Sequence, residues 1–323
     1  MKFSKLQASG NDFILLDVGA VGSELSPGSI STLIQSACRR RFGIGADGLI
    51  LVQESNIADL RMRIFNPDGS EAEACGNGLR CAVKYAIDQG ICQPLRHYKP
   101  GKDNFPNPLS VFGLTVETLS GIRQAKAEVL STAKGQTKIR RVEASMGKPQ
   151  FQAEQIPVTL TQTLSLEGRV PGEGKTRHSQ LLNYPVTVKG KKLTLSLLSL
   201  GNPHAVAFLS RPIAEFPLAK VGPEIENQPM FPNRTNFEIA RVLDRGKIEA
   251  RVWERGVGET LACGSGACAI AVVAQLLDHV GNNTDIIFPG GTLAVSWDRA
   301  GEVLLNGPVE EVFTGQWRYN EGG

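Results

Sequence analysis

The sequence predicts an α+β fold built from two similar, pseudo-symmetric domains. Three observations carry that expectation. The segment Arg63–Gly78 lies over Arg251–Gly266 without a gap, an offset of 188 residues. A strand with period-two alternation opens each copy. An apolar helix follows each copy. Within the repeat, Arg63 meets Arg251, Glu71 meets Glu259 and Cys75 meets Cys263, while Gly76 and Gly78 meet Gly264 and Gly266. A second echo pairs Gly10-Asn11 with Gly201-Asn202 at an offset of 191. Solenoid repeats recur every ~20–50 residues. This period is far longer, so it reads as two like domains facing one another across a pseudo-two-fold axis.

Taken along the chain, strand-like text begins at Phe3 and continues at Phe13–Val18 and Leu49–Gln53. Leu60–Phe65 alternates, and Asn66-Pro-Asp-Gly69 is turn chemistry. A helix then carries apolar residues at Leu79, Ala82, Val83, Ala86 and Ile87, and Gly90 stops it. Leu114–Thr118 is a further strand. Tyr98–Pro108 and Leu164–Gln180 read as polar loops, and the crossover between halves falls near Thr132–Thr137. In the second half Val186–Val188, Leu193–Leu200, Ala205–Leu209 and Ile248–Trp253 read as strands. Ala267–Leu277 is a helix apolar almost all round, hence buried on every side. Ile286–Phe288 and Leu293–Trp297 follow. Val309–Phe313 returns to the first domain, because chain termini often lie close together. The expected domains are 1–135 with 309–323, and 136–308.

Composition narrows the function classes. The chain has 323 residues, 35 Lys+Arg against 32 Asp+Glu, and a net charge of +3. That excess is too small to argue for nucleic acid or an anionic membrane surface. No apolar stretch reaches the ~18 residues of a spanning helix. The N-terminus turns polar too early for a signal peptide. A soluble, cytosolic protein is expected. The six cysteines are Cys38, Cys75, Cys81, Cys92, Cys263 and Cys268. Without secretion a disulfide framework is a poor default, and no C-x2-C pair offers zinc spacing. Buried thiols or reactive ones remain.

Ala74-Cys75-Gly76-Asn77-Gly78 sets a thiol before glycines that open a helix. Glycine lets backbone N–H groups approach a ligand closely. The unpaired N–H groups of a helix start, with its dipole, favour an anion. The same field lowers a thiol's pKa. One such site also fits a structural cysteine at a helix cap. Two at equal depth in a duplicated chain suit one reaction, inversion of a stereocentre by proton exchange. One thiol removes a proton from one face and the other returns a proton to the opposite face. Thiols tuned slightly below ~8.5 would serve. Helix-start amides would hold the carboxylate and the charge that moves onto it.

The segments Ser9–Phe13, Phe65–Ser70, Ala74–Arg80, Gly201–His204, Glu254-Arg255 and Ala262–Cys268 closely resemble diaminopimelate epimerases, and the likeness runs from Phe3 to about Gly315. The resemblance implies interconversion of LL- and meso-2,6-diaminopimelate, in lysine and peptidoglycan precursor synthesis, without a cofactor or a metal. It implies two domains, each a curled, mostly antiparallel sheet around a central helix, and a homodimer whose partner molecule is otherwise only the small substrate. By the same resemblance Cys75 and Cys263 are the acid/base pair. Backbone N–H groups of Gly76, Asn77, Gly264 and Ser265 receive the reacting carboxylate. Asn11, Asn66, Asn202, Asn236, Glu254 and Arg255 match substrate-binding positions, and His204 and Glu254 match positions that tune the thiols. A carboxylate neighbour raises a thiol pKa and a cationic His lowers it. An amide-rich pocket with one Arg suits a second amino-carboxylate, which guanidinium binds bidentately.

Each of these residues alone has a plainer reading: Asn66 and Asn202 as turn residues, His204 as a satisfied structural histidine, Glu254 and Arg255 as an exposed pair of little worth. Two positions depart from the family. Gly48 stands where Gln is common, and Phe313 where some members place a dimer-contact tyrosine. Related two-cysteine enzymes act on histidine or proline-type amino acids and dispense with binders of a far carboxylate. An anion- or nucleotide-binding module is a second reading, but neither G-x-G-x-x-G between strand and helix nor a P-loop Lys is present. A redox sensor that joins Cys75 to Cys263 is a third.

Overall fold

The chain divides into two units, Met1–Ser145 with Asn306–Gly323, and Met146–Leu305. The structure, a computed structural model, describes residues 1–17, 27–72, 75–92, 95–98, 109–131, 137–159 and 181–318. Tyr98, expected to open a loop, ends a strand, and Thr137, expected in the crossover, begins one; the rest of the loop expected at Tyr98–Pro108, the loop at Leu164–Gln180 and the rest of the crossover near Thr132–Thr137 lie outside the described residues. The first unit runs on to Ser145 because its last strand before the crossing bonds to the strand ahead of it.

In the first unit β1 (Lys2–Ala8) and β2 (Asn11–Asp17) form a hairpin turned by Ser9 and Gly10, both at positive φ. Helix α1 (Pro27–Cys38) has proline at its first position, where the missing N–H costs nothing. β3 (Gly48–Gln53) runs parallel to β2, and β4 (Leu60–Phe65) returns antiparallel to β3. The short β5 (Glu71–Ala72) folds back on β4 and leads to helix α2 (Gly76–Asp88). β6 (Leu95–Tyr98) and β7 (Leu109–Thr118) are antiparallel, and β7 is parallel to β4. β8 (Gly121–Ser131) and β9 (Thr137–Ser145) extend the sheet antiparallel.

The second unit contains β10 (Tyr184–Val188), β11 (Lys191–Ser199), β12 (Pro203–Phe208), helix α3 (Leu218–Glu226), β13 (Asn236–Asp244), β14 (Lys247–Glu254), β15 (Gly258–Thr260), helix α4 (Gly264–Leu276), β16 (Asn283–Phe288) and β17 (Gly291–Ser296). β18 (Leu304–Pro308) then pairs with β9, and β19 (Glu310–Gln316) lies antiparallel to β1. So the strand expected from Val309 does return to the first unit.

The two units share one pairing order. From β1 to β8 it reads antiparallel, parallel, antiparallel, with β4 taking β5 antiparallel and β7 parallel. From β11 to β17 it repeats in the same sense, with β14 taking β15 and β16. The sequence duplication is thus a duplication of sheet topology. Even its charged positions match. Arg63 on β4 grips Glu71 on β5 at 2.9 and 2.8 Å, and Arg251 on β14 grips Glu259 on β15 at 2.8 Å. Each clasp closes the hairpin that delivers the chain to a cysteine.

Each unit wraps its sheet on one helix. α2 touches β1, β2, β3, β4, β8 and β9 and is buried from Gly76 to Ala86. Two of its polar members bond within the helix: Arg80 Nη2 donates to Asn77 Oδ1 at 2.8 Å, and Lys84 pairs with Asp88 at 2.7 Å. α4 is buried all round, and Ile270, Val272 and Val273 have no exposure at all. Each contributes ~1.5–3 kcal/mol by leaving water, so a charge at Val272 would break this core. α1 and α3 add a second helix to each unit, beyond the single one expected.

Candidate active site

Both repeated cysteines are the N-cap residues of the buried helices. Cys75 has extended backbone (φ −148, ψ 111) and its sulfur accepts the Gly78 N–H at 3.3 Å. Cys263 does the same (φ −127, ψ 123), accepting from Gly266 N at 3.4 Å. A cap must satisfy an amide of the first helical turn, and here sulfur takes the place usually held by oxygen. That bond and the helix dipole both favour a thiolate. The preceding amides, those of Gly76 and Asn77 in α2 and of Gly264 and Ser265 in α4, lie in the first turns of their helices, at the positive end of the helix dipole.

In the first unit Asn11 opens β2 and joins the thiol to the helix start. Its Oδ1 accepts from Cys75 Sγ at 3.9 Å and from Asn77 Nδ2 at 3.3 Å, while its Nδ2 donates to Asp47 Oδ2 at 2.7 Å. Asp47 therefore fixes which way the Asn11 amide points. Asp47 is itself tied to Asp12 by reciprocal backbone bonds and shares Arg40 with it. Lys5 also pairs with Asp12 at 2.9 Å. Asn66 lies apart. It is exposed in the turn after β4 and donates to Ser70 Oγ at 3.0 Å, the arrangement its turn sequence suggests. Gly48 has a steric reason: a Cβ there would lie 2.6 Å from the Phe65 carbonyl oxygen.

The second unit assembles a longer network. Cys263 Sγ lies 3.4 Å from Ser265 Oγ, and Asn202 Nδ2 donates to that hydroxyl at 3.4 Å. His204 Nε2 lies 3.0 Å from Asn202 Oδ1, and its Nδ1 lies 2.7 Å from Glu238 Oε1. On the other side of the thiol, Glu254 accepts from Thr260 Oγ1 and bonds to Cys263. Asn236 is nearly enclosed, and both ends of its amide hold backbone. Nδ2 donates to Pro203 O at 2.9 Å and Oδ1 accepts from Arg255 N at 2.9 Å. It thereby fixes the segments that carry Asn202 and Arg255. The Arg255 guanidinium donates to Asn233 O at 3.2 Å.

The Cys263 thiol corrects one expectation. It stands well above the ordinary thiol value rather than slightly below it. Burial is the largest cause, and the charges of Glu254 and Glu238 add to it; bonds from Ser265 and the Gly266 N–H pull the other way and are outweighed. Burial also raises Glu254, against the bonds from Thr260 and Cys263. The cysteines without a proposed role behave as buried thiols. Burial pushes Cys38 up to about 12 and raises Cys81 and Cys92.

Glu238 and Asp47 belong to these networks and were not singled out in the sequence. The signal for Glu238 was a lone carboxylate in the apolar run Asn236-Phe-Glu-Ile-Ala240. Among the described residues no group of three or more His, Cys, Asp or Glu side chains could hold a metal ion. No described helix is long and apolar enough to cross a membrane.

A family model of diaminopimelate epimerase matches residues 3–103 and 196–312. The diaminopimelate epimerase of Carboxydothermus hydrogenoformans is 38% identical over 317 residues, covering 98% of this chain and 99% of that protein. That of Moorella thermoacetica is 39% identical over 318 residues, with the same coverage. Among solved structures, a Bacillus anthracis phenazine biosynthesis protein of the PhzF family aligns with a TM-score of 0.61 at 17% identity, covering 99% of each chain. A hydroxyproline epimerase from Agrobacterium vitis aligns with a TM-score of 0.61 at 14% identity, covering 98% of this chain and 91% of that one. At such identities these two share the fold.

Proposed function

The chain belongs to the diaminopimelate epimerase family and is an amino-acid epimerase, and on that premise we propose that it interconverts LL- and meso-2,6-diaminopimelate by a two-cysteine acid/base mechanism. One observation carries the mechanism: each repeat caps its buried helix with a cysteine whose sulfur accepts an amide hydrogen of the first turn. In this reading one sulfur, as thiolate, takes the α-proton and becomes S–H. The other, as thiol, gives its proton to the opposite face and becomes thiolate. The reverse reaction exchanges the roles.

The negative charge left on the α-carbon spreads onto the carboxylate. The amides of Gly76, Asn77, Gly264 and Ser265 would stabilise it there. No cofactor enters these steps. Glu254, raised by burial and bonded to Cys263, would take up the thiol proton and release it. Asn11 would hold Cys75 in its thiol form, since an amide oxygen accepts S–H and repels a thiolate. Asn66, Asn202, Asn236 and Arg255 would receive the far amino-carboxylate, directly or by holding the segments that do. His204 would tune the thiols. We place the protein in the cytosol, in lysine and peptidoglycan precursor synthesis, as a homodimer. The exposed Val312 and Phe313 on β19 support the dimer.

The test is a coupled assay with LL-diaminopimelate under reducing conditions, beside a panel of L-amino acids that includes histidine and proline. Formation of the meso isomer with little turnover of the panel supports the reading. Preferred turnover of a monocarboxylate amino acid overturns it.

A further inference from the structure

We infer that Glu238 is a positioning residue that sets the direction of a hydrogen-bond chain ending on the Cys263 sulfur, an inference that rests on the reading of Cys263 as an acid/base thiol. His204 and Glu238 are wholly enclosed, at 0% exposure. The chain runs Glu238 Oε1, His204, Asn202, Ser265 Oγ, Cys263 Sγ, with steps of 2.7, 3.0, 3.4 and 3.4 Å. A carboxylate oxygen and an amide oxygen only accept. The imidazole therefore presents N–H at both nitrogens, as the imidazolium whose counter-charge is Glu238. The Asn202 amide then turns its Nδ2 to the Ser265 oxygen. That leaves the Ser265 O–H to donate to the Cys263 sulfur, where it favours thiolate.

The opposite arrangement is as definite. A ring with N–H at Nδ1 only offers a lone pair at Nε2. Asn202 must then present its NH2 to the ring, and its Oδ1 draws the Ser265 hydroxyl away from sulfur. No proton travels the chain; the charge on His204 decides which way the dipoles point. Glu238 is placed for this task. Its second oxygen, Oε2, is buried with no hydrogen-bond partner among the described residues, so His204 is the group that answers its charge. Helix α4 makes room for it: a Cβ on Gly266 would stand 3.0 Å from Glu238 Oε1. The titratable groups around this end of α4 are His204 on β12, Glu238 on β13 and Glu254 on β14. Among the described side chains β11 and β17 bring no buried titratable group to the helix, and Asp285 on β16 alternates onto the half-exposed face.

Two effects of Glu238 on the thiol have opposite signs, which makes the inference testable. Its own negative charge, acting directly, disfavours thiolate; acting through the chain, it favours thiolate. In the full-length protein under reducing conditions, iodoacetamide alkylation of Cys263 is followed against pH by mass spectrometry of its peptide. Glu238→Gln should move the midpoint up by about one pH unit, the size of one hydrogen bond to a charged group. Ser265→Ala should move it equally, and the double variant should go no further. A downward or absent shift in Glu238→Gln, or additive shifts in the double variant, overturns the inference. Should Glu238→Gln fail to fold, Ser265→Ala and Asn202→Ala carry the test: equal and non-additive upward shifts support the chain, and unshifted or additive ones overturn it. Alkylation needs no substrate. A wild-type protein inactive on diaminopimelate but with the expected shifts would overturn the substrate reading alone.

Discussion

The indole Nε1 of Trp253 donates to Glu226 Oε2 at 2.7 Å. The other oxygen of the same carboxylate accepts from Gly256 N at 2.8 Å and lies 3.4 Å from Arg234 Nη1. Glu226 is the last residue of α3, where the helix dipole disfavours a carboxylate. It holds both ends of the stretch 253–256, which carries Glu254 and Arg255. Replacing Glu226 with alanine leaves the half-buried Trp253 indole and the Gly256 amide without this acceptor and should cost about 1–2 kcal/mol of stability. It should also raise KM for diaminopimelate more than it lowers kcat. Denaturant midpoints and steady-state kinetics check both, and Glu226→Gln should be the milder variant.

Cys75→Ser and Cys263→Ser should each lower epimerisation by at least ~10²–10⁴-fold, the worth of a positioned acid or base, while circular dichroism and melting stay near wild type. In D2O the product should carry deuterium at the inverted α-carbon. Near-normal turnover in either variant, or full retention of the original hydrogen, would sink the two-thiol mechanism.

Glu254→Gln should act on Cys263 with the sign opposite to Glu238→Gln. Its charge stands beside the sulfur and raises the thiol, second only to burial. Removing that charge should lower the alkylation midpoint of Cys263 while turnover falls, because the group that exchanges the proton is gone. Alkylation against pH and kcat are the two measurements.

Arg255→Ala should raise KM for diaminopimelate far more than for a monocarboxylate amino acid, since only the former has a far carboxylate to lose. Equal effects on both substrates would favour a histidine- or proline-type specificity.

Burial pushes the Asp12 carboxyl up, but bonds and charges from Arg40 and Lys5 outweigh it and bring it from its ordinary 3.8 down to about 2. A depressed carboxyl stabilises the fold above its unfolded value, and that contribution fades as pH falls toward the folded value. Asp12→Asn should therefore cost ~2 kcal/mol at neutral pH, with the difference shrinking between pH 4 and 2. Chemical denaturation across that range checks it.

Much of this was legible locally. The Cys-Gly repeat located both helix starts, and the apolar positions Leu79, Ala82, Val83 and Ala86 are buried, but so are Arg80, Cys81, Lys84 and Tyr85 between them, which a one-faced pattern does not show. α3 was not legible, because Pro223 inside it breaks the usual helix pattern. The partner of His204 lies 34 residues away on another strand, and nothing in the local sequence joins the two. The same limit explains the thiol. The motif around Cys263 speaks only of the helix field, whereas the opposing burial and the Glu254 charge arrive with tertiary packing.

Because β1 is hydrogen-bonded to β19, with Lys2 opposite Gln316, β1 must wait on the ribosome until β19 has been made. The whole of Met146–Leu305 is translated in between and is continuous in the chain. Synthesis thus gives that unit the chance to fold first, while β1 keeps one edge open to misassociation until β19 emerges.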